Sequence, residues 1–145
     1  MQEVEVSYVI EGAVSDVDAE LSPERIVEYT GVYELESTER VGETTVARVW
    51  LNEVETELEF RCDDRYYAFE QRGTDGVFSE MGTWITLEEV SETGDGAATR
   101  VTARSAFTFG SRLSVLIDRL AIGSRRRELE RILDNLAVAV TEDGQ

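Results

Sequence analysis

Three polar side chains have the chemistry for acid–base catalysis: Tyr67, Glu70 and Arg104. A tyrosine hydroxyl or a carboxylate can serve as the acid or base of an enolising or dehydrating reaction. Their spacing along the sequence does not bring them together, and the alternative is that they are ordinary surface or hydrogen-bonded residues. We therefore assign no catalytic residue from the sequence.

Composition excludes several other kinds of catalytic or metal site. Histidine is absent, which removes the Ser-His-Asp and Cys-His nucleophile systems. Lysine is also absent, so no Schiff base and no phosphate-loop lysine can form. The single cysteine, Cys62, allows neither an intrachain disulfide nor a cysteine zinc cluster, and its strand position predicts a small buried hydrophobe. The sequence predicts no metal and no cofactor.

The charge of the chain is its most unusual property. There are 31 acidic residues against 14 basic ones, all of them arginine, and the formal net charge is −17. A dense carboxylate surface repels itself at low salt, and concentrated salt screens that repulsion. We interpret this composition as that of a cytoplasmic protein in a salt-accumulating halophile, with an ordinary acidic mesophile protein as the alternative. The charge argues against nucleic acid as the main partner.

The N-terminal sequence lacks the basic and then apolar pattern of a signal peptide. No apolar run approaches the length of about 18 residues that a transmembrane helix needs. Both observations agree with the predicted cytoplasmic location.

The last long segment, Gly110 to Val140, has the periodicity of one amphipathic helix. Its apolar residues form two sets that are out of phase on a straight helix. The sets are Leu113, Leu116, Ile117 and Leu120, and then Leu129, Ile132, Leu133, Leu136 and Val140. Either the helix kinks or breaks at Gly123-Ser124, or its first half is buried on two sides, over a cavity or in a homodimer contact.

Arginine is concentrated in this helix. Residues 112 to 131 contain six arginines and three acids, which gives +3 in a chain of −17. One interpretation is a site for an anionic head group or an acidic partner, with Arg125, Arg126 and Arg127 near a cavity mouth. The other is pairing with the chain's own acids, for example Arg126 with Glu130 at i, i+4.

The chain before this helix is predicted to be mostly β-strand. An alternating first strand ends at Gly12, and two short helices follow, one capped by Ser15 or Asp16 and one by Ser22-Pro23. Six more strands are joined by short turns, which favours an antiparallel meander. The strands are Glu3 to Ile10, Val32 to Val41, Thr44 to Leu51, Val54 to Cys62, Arg65 to Arg72, Phe78 to Val90 and Ala97 to Phe109. At 145 residues the chain is predicted to be one domain, 1–145.

This order of elements resembles the START-like, or SRPBCC, superfamily over the whole chain. Four local stretches are also similar to haloarchaeal members of that superfamily. They are Val6-Ser7-Tyr8-Val9-Ile10, Glu70-Gln71-Arg72-Gly73, Arg100-Val101-Thr102-Ala103-Arg104-Ser105 and the arginine-rich final helix. The resemblance implies an α+β helix-grip fold, in which a curved seven-stranded antiparallel sheet wraps around a long C-terminal helix, with two short helices after strand 1. It also implies a cavity for an apolar ligand, since the superfamily includes lipid carriers and polyketide cyclase/dehydrase-like members.

The candidate cavity lies between the later strands and the first half of the final helix. Its predicted ligand-binding residues are Leu58, Phe60, Tyr67, Phe69, Met81, Ile85, Ser105, Phe107, Leu116 and Leu120. An apolar surface with a few polar groups is typical of small-molecule sites, although the same residues can simply fill a core. Our first hypothesis is a protein that binds a hydrophobic small molecule or lipid. The alternatives are a cyclase or dehydratase that uses the same cavity, and a protein-interaction module that acts through the final helix.

Overall fold

A computed structural model describes residues 2–51, 54–72, 78–90, 97–109 and 115–143. Within these ranges it describes only the backbone at 2, 51, 54, 78–80, 109, 115–124 and 143. The elements in chain order are β1 (Gln2–Glu11), α1 (Val14–Asp18), α2 (Pro23–Thr30), β2 (Tyr33–Val41), β3 (Thr44–Leu51), β4 (Val54–Asp63), β5 (Tyr66–Arg72), β6 (Phe78–Val90), β7 (Ala98–Phe109) and α3 (Val115–Asp143).

The seven strands form one curved antiparallel sheet in the order β1-β7-β6-β5-β4-β3-β2. Strands β2 to β6 each pair with the next strand in the sequence, which is the predicted meander. The first strand, β1, lies at one edge of the sheet and pairs with the last strand, β7, for example with Val4 opposite Ser105. The predicted helix-grip architecture is therefore confirmed, including the two short helices after β1.

The second short helix follows its predicted caps. The Ser22 side chain accepts a hydrogen bond from the Arg25 backbone N–H at 3.2 Å, and Pro23 occupies the first helical position. Gly31 ends the helix with φ 70°, a left-handed conformation that glycine adopts without steric cost. The first helix starts earlier than expected, because Ala13 is its N-cap and Asp16 accepts a hydrogen bond from the Ala13 backbone N–H. It ends at Asp18, whereas the sequence pattern predicted a helix through Leu21.

The helix α3 is continuous through Gly123 and Ser124, so the predicted alternative of a break at this point is wrong. Its second apolar set is buried against the sheet, with Leu129, Ile132, Leu133 and Leu136 fully inaccessible to solvent. Burying one such side chain contributes roughly 1.5–3 kcal/mol. The first apolar set includes Leu116, Ile117 and Leu120, and these side chains lie outside the described residues, as does Leu113.

Alternation along β2 predicts that Leu35 faces inward with Tyr33, and the strand position of Cys62 predicts burial, yet both Leu35 and Cys62 are exposed. Leu35 is 38% exposed, because β2 is an edge strand whose register shifts between Leu35 and Ser37. Cys62 is also exposed, because it lies next to the end of β4, beyond the part of the strand that the core covers. Partial burial and the carboxylates of Glu24 and Asp18 still raise the pKa of the Cys62 thiol above its usual value.

Within the part of the chain that the structure describes, no helix combines the length and the apolar character needed to span a lipid bilayer.

Candidate functional site

The predicted cavity residues of the strands all lie on the inner face of the sheet, which faces α3. Alternation along each strand places them there, since successive side chains point to opposite faces. They come from four neighbouring strands, β4 to β7, and each is at most 4% exposed. The described members are Leu58, Phe60, Tyr67, Phe69, Met81, Ile85, Ser105 and Phe107. The side chains of Leu116 and Leu120, predicted from the helix, lie outside the described residues.

The orientation of β5 was ambiguous in the sequence, because Tyr66 and Tyr67 are adjacent. In the structure Tyr67 and Phe69 face inward, and the Phe69 ring lies 4.9 Å from the Phe60 ring, measured between centroids. Tyr66 and Glu70 are exposed on the outer face. The register with β4 and β6 fixes this choice, since Phe69 pairs with Phe60 and Thr83.

The hypothesis that Tyr67, Glu70 and Arg104 act together is wrong. Tyr67 is 2% exposed on the inner face, whereas Glu70 and Arg104 are exposed on the outer face. The Arg104 guanidinium carbon lies 4.8 Å from the centre of the Trp84 ring, a cation–π contact, and Arg104 also pairs with Glu3 at 3.5 Å. A two-residue period separates these side chains by the thickness of the sheet, so no substrate could contact all three.

The most unusual feature of the inner face is a buried polar group of residues centred on Arg125 of α3. Arg125 is 4% exposed, and its Nη2 donates to Ser105 Oγ at 2.9 Å and to Thr83 Oγ1 at 3.1 Å. Its Nη1 lies 2.5 Å from a carboxylate oxygen of Glu128, which is also 4% exposed. We call Arg125, Glu128, Thr83 and Ser105 the Arg125 cluster.

The strands hold the hydroxyls of this cluster in place. Thr83 and Ser105 are direct partners in the β6–β7 register, and their hydroxyl oxygens are 3.2 Å apart. The Ser105 hydroxyl also lies 3.1 Å from the Gly82 carbonyl oxygen. Tyr33 of β2 borders the cluster: burial and the Glu128 charge raise the pKa of its hydroxyl, while a hydrogen bond with Arg125 opposes that rise. The cluster thus joins α3 to strands from distant parts of the sheet.

The arginine run of α3 is divided between the interior and the solvent. Arg125 points into the protein, whereas Arg126 and Arg127 are exposed, because successive helical residues are about 100° apart. Arg126 reaches the Glu5 carbonyl oxygen at 3.5 Å. The expectation that all three arginines lie together at a cavity mouth is therefore wrong. Arg125 and Glu128 form an ion pair at i, i+3, whereas the suggested pair Arg126–Glu130 does not occur among the described residues.

The sequence analysis did not identify Glu128 or the inward direction of Arg125, although the position of Arg125 on the helix indicates that direction. Arg125 precedes Leu129 by four residues and Ile132 by seven, so it continues the buried apolar stripe of the helix. A charged residue on such a stripe is expected to be paired when it is buried.

A second unusual group on the inner face is the Tyr67 hydroxyl. The oxygen is buried and has no hydrogen-bond partner among the described residues. The residues opposite it across the neighbouring strands are Cys62 and Ile85, neither of which offers a strong polar group. Burying a hydroxyl without a partner costs about 1–3 kcal/mol.

The outer face of the sheet carries a groove of about 380 Å³. Its lining residues are Glu59, Arg61, Tyr66, Ala68, Glu70 and Trp84. None of the predicted ligand-binding residues lines it, so this groove is separate from the inner face.

We predict that Glu128 makes folding stability depend on pH. Burial raises the pKa of Glu128 above 4.5, and Arg125 and Arg131 oppose this rise only in part. The folded state then binds the proton more tightly than the unfolded state, so stability falls as the pH rises from about 4.5 through the raised pKa. Relative to Glu128→Gln, the wild-type free energy of unfolding should therefore decrease with pH over that window. Denaturant unfolding at several pH values in constant high salt measures this difference, and parallel curves for the two proteins would contradict it.

Comparison with known proteins finds matches in solved structures only. Neither the protein-family models nor the curated proteins gave a match to this sequence. A Thermus thermophilus protein aligns with a TM-score of 0.77 at 18% identity, over 99% of this chain and 100% of that chain. A START superfamily protein from Mycobacterium smegmatis aligns with a TM-score of 0.63 at 8% identity, over 92% and 94% of the two chains.

A third solved structure is the di-domain ARO/CYC protein BexL from the BE-7585A biosynthetic pathway. It aligns with a TM-score of 0.61 at 19% identity, over 91% of this chain and 45% of that chain. At these identities the likeness concerns the fold. Together with the order of strands and helices, it shows that this chain has the helix-grip fold, which it shares with a START superfamily protein.

Proposed function

We propose that this protein binds a hydrophobic small molecule or lipid-like ligand between the inner face of the sheet and α3. A binding site of this kind combines a mainly apolar lining with a few polar groups that orient the ligand. The inner face has that composition: aromatic and aliphatic side chains from β4 to β7 surround the hydroxyls of Thr83 and Ser105. The solved structures of similar fold include a START superfamily protein, which agrees with this proposal.

The Arg125 cluster is the observation that carries the proposal. A buried ion pair is a costly way to hold a helix on a sheet, since apolar residues of similar volume often do so at least as well. Two charged and two hydroxyl side chains nevertheless lie within an apolar face. The side chains of Arg125 and Glu128 are at most 5% exposed, and Thr83 and Ser105 are fully buried. Fixed polar groups in such surroundings are suited to recognising the polar end of an otherwise apolar molecule.

The acidic composition supports a salt-rich cytoplasm as the environment of this protein. Exposed arginines already pair with exposed acids across the outer face, for example Arg72 with Glu57 at 3.3 Å and Arg48 with Glu55 at 3.3 Å. With a net charge of −17, most acids have no basic residue to pair with. Salt ions are the remaining means of reducing their repulsion.

Filling the inner face should abolish ligand binding. In Ile85→Trp the larger ring would occupy space between β6 and α3, so the affinity for the neutral fluorescent probe N-phenylnaphthylamine should fall at least about tenfold. In the matched control Thr86→Trp the same side chain is added one residue later on the exposed outer face, and affinity should be unchanged. Fluorescence titration in concentrated KCl, after circular dichroism has shown that both variants fold, measures the effect. Equal affinities for the two variants would refute binding at the inner face.

A cyclase or dehydratase that uses the same space is the second candidate. The buried Glu128 carboxylate favours it, because burial raises its pKa towards the range in which a carboxylic acid can donate a proton. The ARO/CYC protein of similar fold agrees with this alternative. An enzyme would lose far more turnover than binding in Glu128→Gln, whereas a binding protein has no turnover to lose.

The interaction-module hypothesis and the homodimer that goes with it depend on the first apolar set of α3. Those side chains lie outside the described residues. Both ideas remain predictions from the sequence.

A further inference from the structure

The Tyr67 hydroxyl points to the chemical class of the ligand. Buried polar groups in folded proteins almost always have hydrogen-bond partners, so an exception calls for an explanation. Tyr67 is 2% exposed, and its hydroxyl has no partner among the residues that the structure describes. It projects from β5 into the face that also carries Phe69, Ile85 and the other predicted ligand-binding residues.

Two other tyrosines in the interior have hydroxyls that do form hydrogen bonds. The Tyr29 hydroxyl donates to the Glu20 carbonyl oxygen at 3.0 Å. The Tyr33 hydroxyl is hydrogen-bonded with Arg125. Both tyrosines are 8% exposed, which makes them slightly less buried than Tyr67. Depth of burial therefore does not account for the difference at Tyr67.

We infer that the ligand carries a neutral oxygen, as a carbonyl or a hydroxyl, that hydrogen-bonds with Tyr67 Oη. This inference rests on the proposed binding at the inner face and deepens it by naming the polar group. A phenolic hydroxyl can donate to a carbonyl and can both donate to and accept from a hydroxyl. Either group would satisfy Tyr67 without bringing a charge into the site.

A neutral group fits the position better than an anionic one. An anion moved from water to this site would lose its hydration and gain one neutral donor, which is poor compensation. The guanidinium of Arg125, on the same inner face, is already paired with Glu128, so it offers no unpaired positive charge to an anion. Ketones, esters and alcohols with a large apolar body are thus the expected ligand class, in preference to free carboxylic acids.

A set of three naphthalene probes of similar shape tests this inference. Acetylnaphthalene carries a carbonyl, ethylnaphthalene has no oxygen, and naphthoate carries an anion. Competition with N-phenylnaphthylamine should show that the wild-type protein prefers the ketone to the ethyl compound about fivefold to tenfold, the effect of one neutral hydrogen bond. Naphthoate should bind less tightly than the ketone.

Tyr67→Phe removes only the hydroxyl, and the ratio of the two dissociation constants should then fall to about one. Tyr66→Phe, which removes the exposed hydroxyl of the preceding residue, should keep the wild-type ratio. A preference for the ketone that survives in Tyr67→Phe, or no preference in the wild type, would overturn the assignment to Tyr67. No binding of N-phenylnaphthylamine to the wild type would overturn the proposed function as well.

Thermal unfolding without ligand tests independently whether the Tyr67 hydroxyl has a hydrogen-bond partner within the protein. Tyr29→Phe breaks a buried hydrogen bond and should lower Tm by about 2–4 °C. Tyr67→Phe removes a buried hydroxyl that has no described partner, so Tm should stay the same or rise. A fall in Tm as large as that of Tyr29→Phe would mean that the hydroxyl already has a partner within the protein, and the inference would fail.

Discussion

Arg125→Met is expected to lower the free energy of unfolding by about 3–5 kcal/mol, the usual cost of leaving a buried charge without its partner. The methionine would leave the Glu128 carboxylate at 4% exposure without its guanidinium, and would also remove the donor to Ser105 and Thr83. For a domain of this size the loss corresponds to a decrease in Tm of roughly 10 °C. Denaturant unfolding in concentrated KCl gives the value directly.

Two further variants test whether the loss of stability comes from the unpaired Glu128 carboxylate or would follow any substitution in this part of α3. Arg126→Met changes the next residue, which is exposed, and should cost less than about 0.5 kcal/mol. Arg125→Met combined with Glu128→Leu removes both charges and should recover most of the lost stability, since an apolar pair can replace a buried ion pair. If the double variant were no more stable than Arg125→Met, the unpaired carboxylate would not be the cause.

The concentration of salt is also expected to have a large effect on the stability of the folded protein. Raising KCl from about 0.1 M to about 2 M shortens the screening length from about 10 Å to less than about 3 Å. The mutual repulsion of an excess of 17 negative charges should then fall sharply, and stability should rise by several kcal/mol, or about 10 °C in Tm. Calorimetry or circular dichroism at pH 7 over this range of KCl measures the increase.

The same titration near pH 4.3 is the control, because the chain's net charge is close to zero at its calculated pI. If repulsion among carboxylates is responsible, most of the salt dependence should disappear there. An equal increase in Tm at both pH values would indicate a general stabilisation by KCl, which does not depend on net charge.

Much of the fold could be predicted because the local signals agree with one another. The alternation in β4 places Leu58 and Phe60 inward, and Ser22, Pro23 and Gly31 mark both ends of α2. Short turns leave a chain of successive strands little choice except a meander. The predictions failed where the local pattern continues past the edge of the core, as at Leu35 and Cys62.

Most of the strand part of the candidate site was predictable for the same reason, since a two-residue period assigns each side chain to a face. The exception is β5, where the adjacent Tyr66 and Tyr67 left the inward face undecided until the register was known. The polar part was not predictable. The sequence left open whether Tyr67, Glu70 and Arg104 could take part in one reaction, and the register places Glu70 and Arg104 on the face opposite to Tyr67. The Arg125–Glu128 pair was overlooked, because charged residues within an arginine-rich segment resemble a solvated helix surface.

By itself, the sequence determined the order of elements, the inward faces of most strands, the caps of α2 and the large negative charge. These properties depend on residues close together in the chain or on composition, so no long-range contact is needed to specify them. The tertiary structure alone decided that α3 is continuous, that Arg125 turns inward to Thr83 and Ser105, and that Tyr67 Oη lacks a described partner. Those outcomes depend on which residues the packing of α3 against β6 and β7 brings together across 20 to 42 positions of sequence.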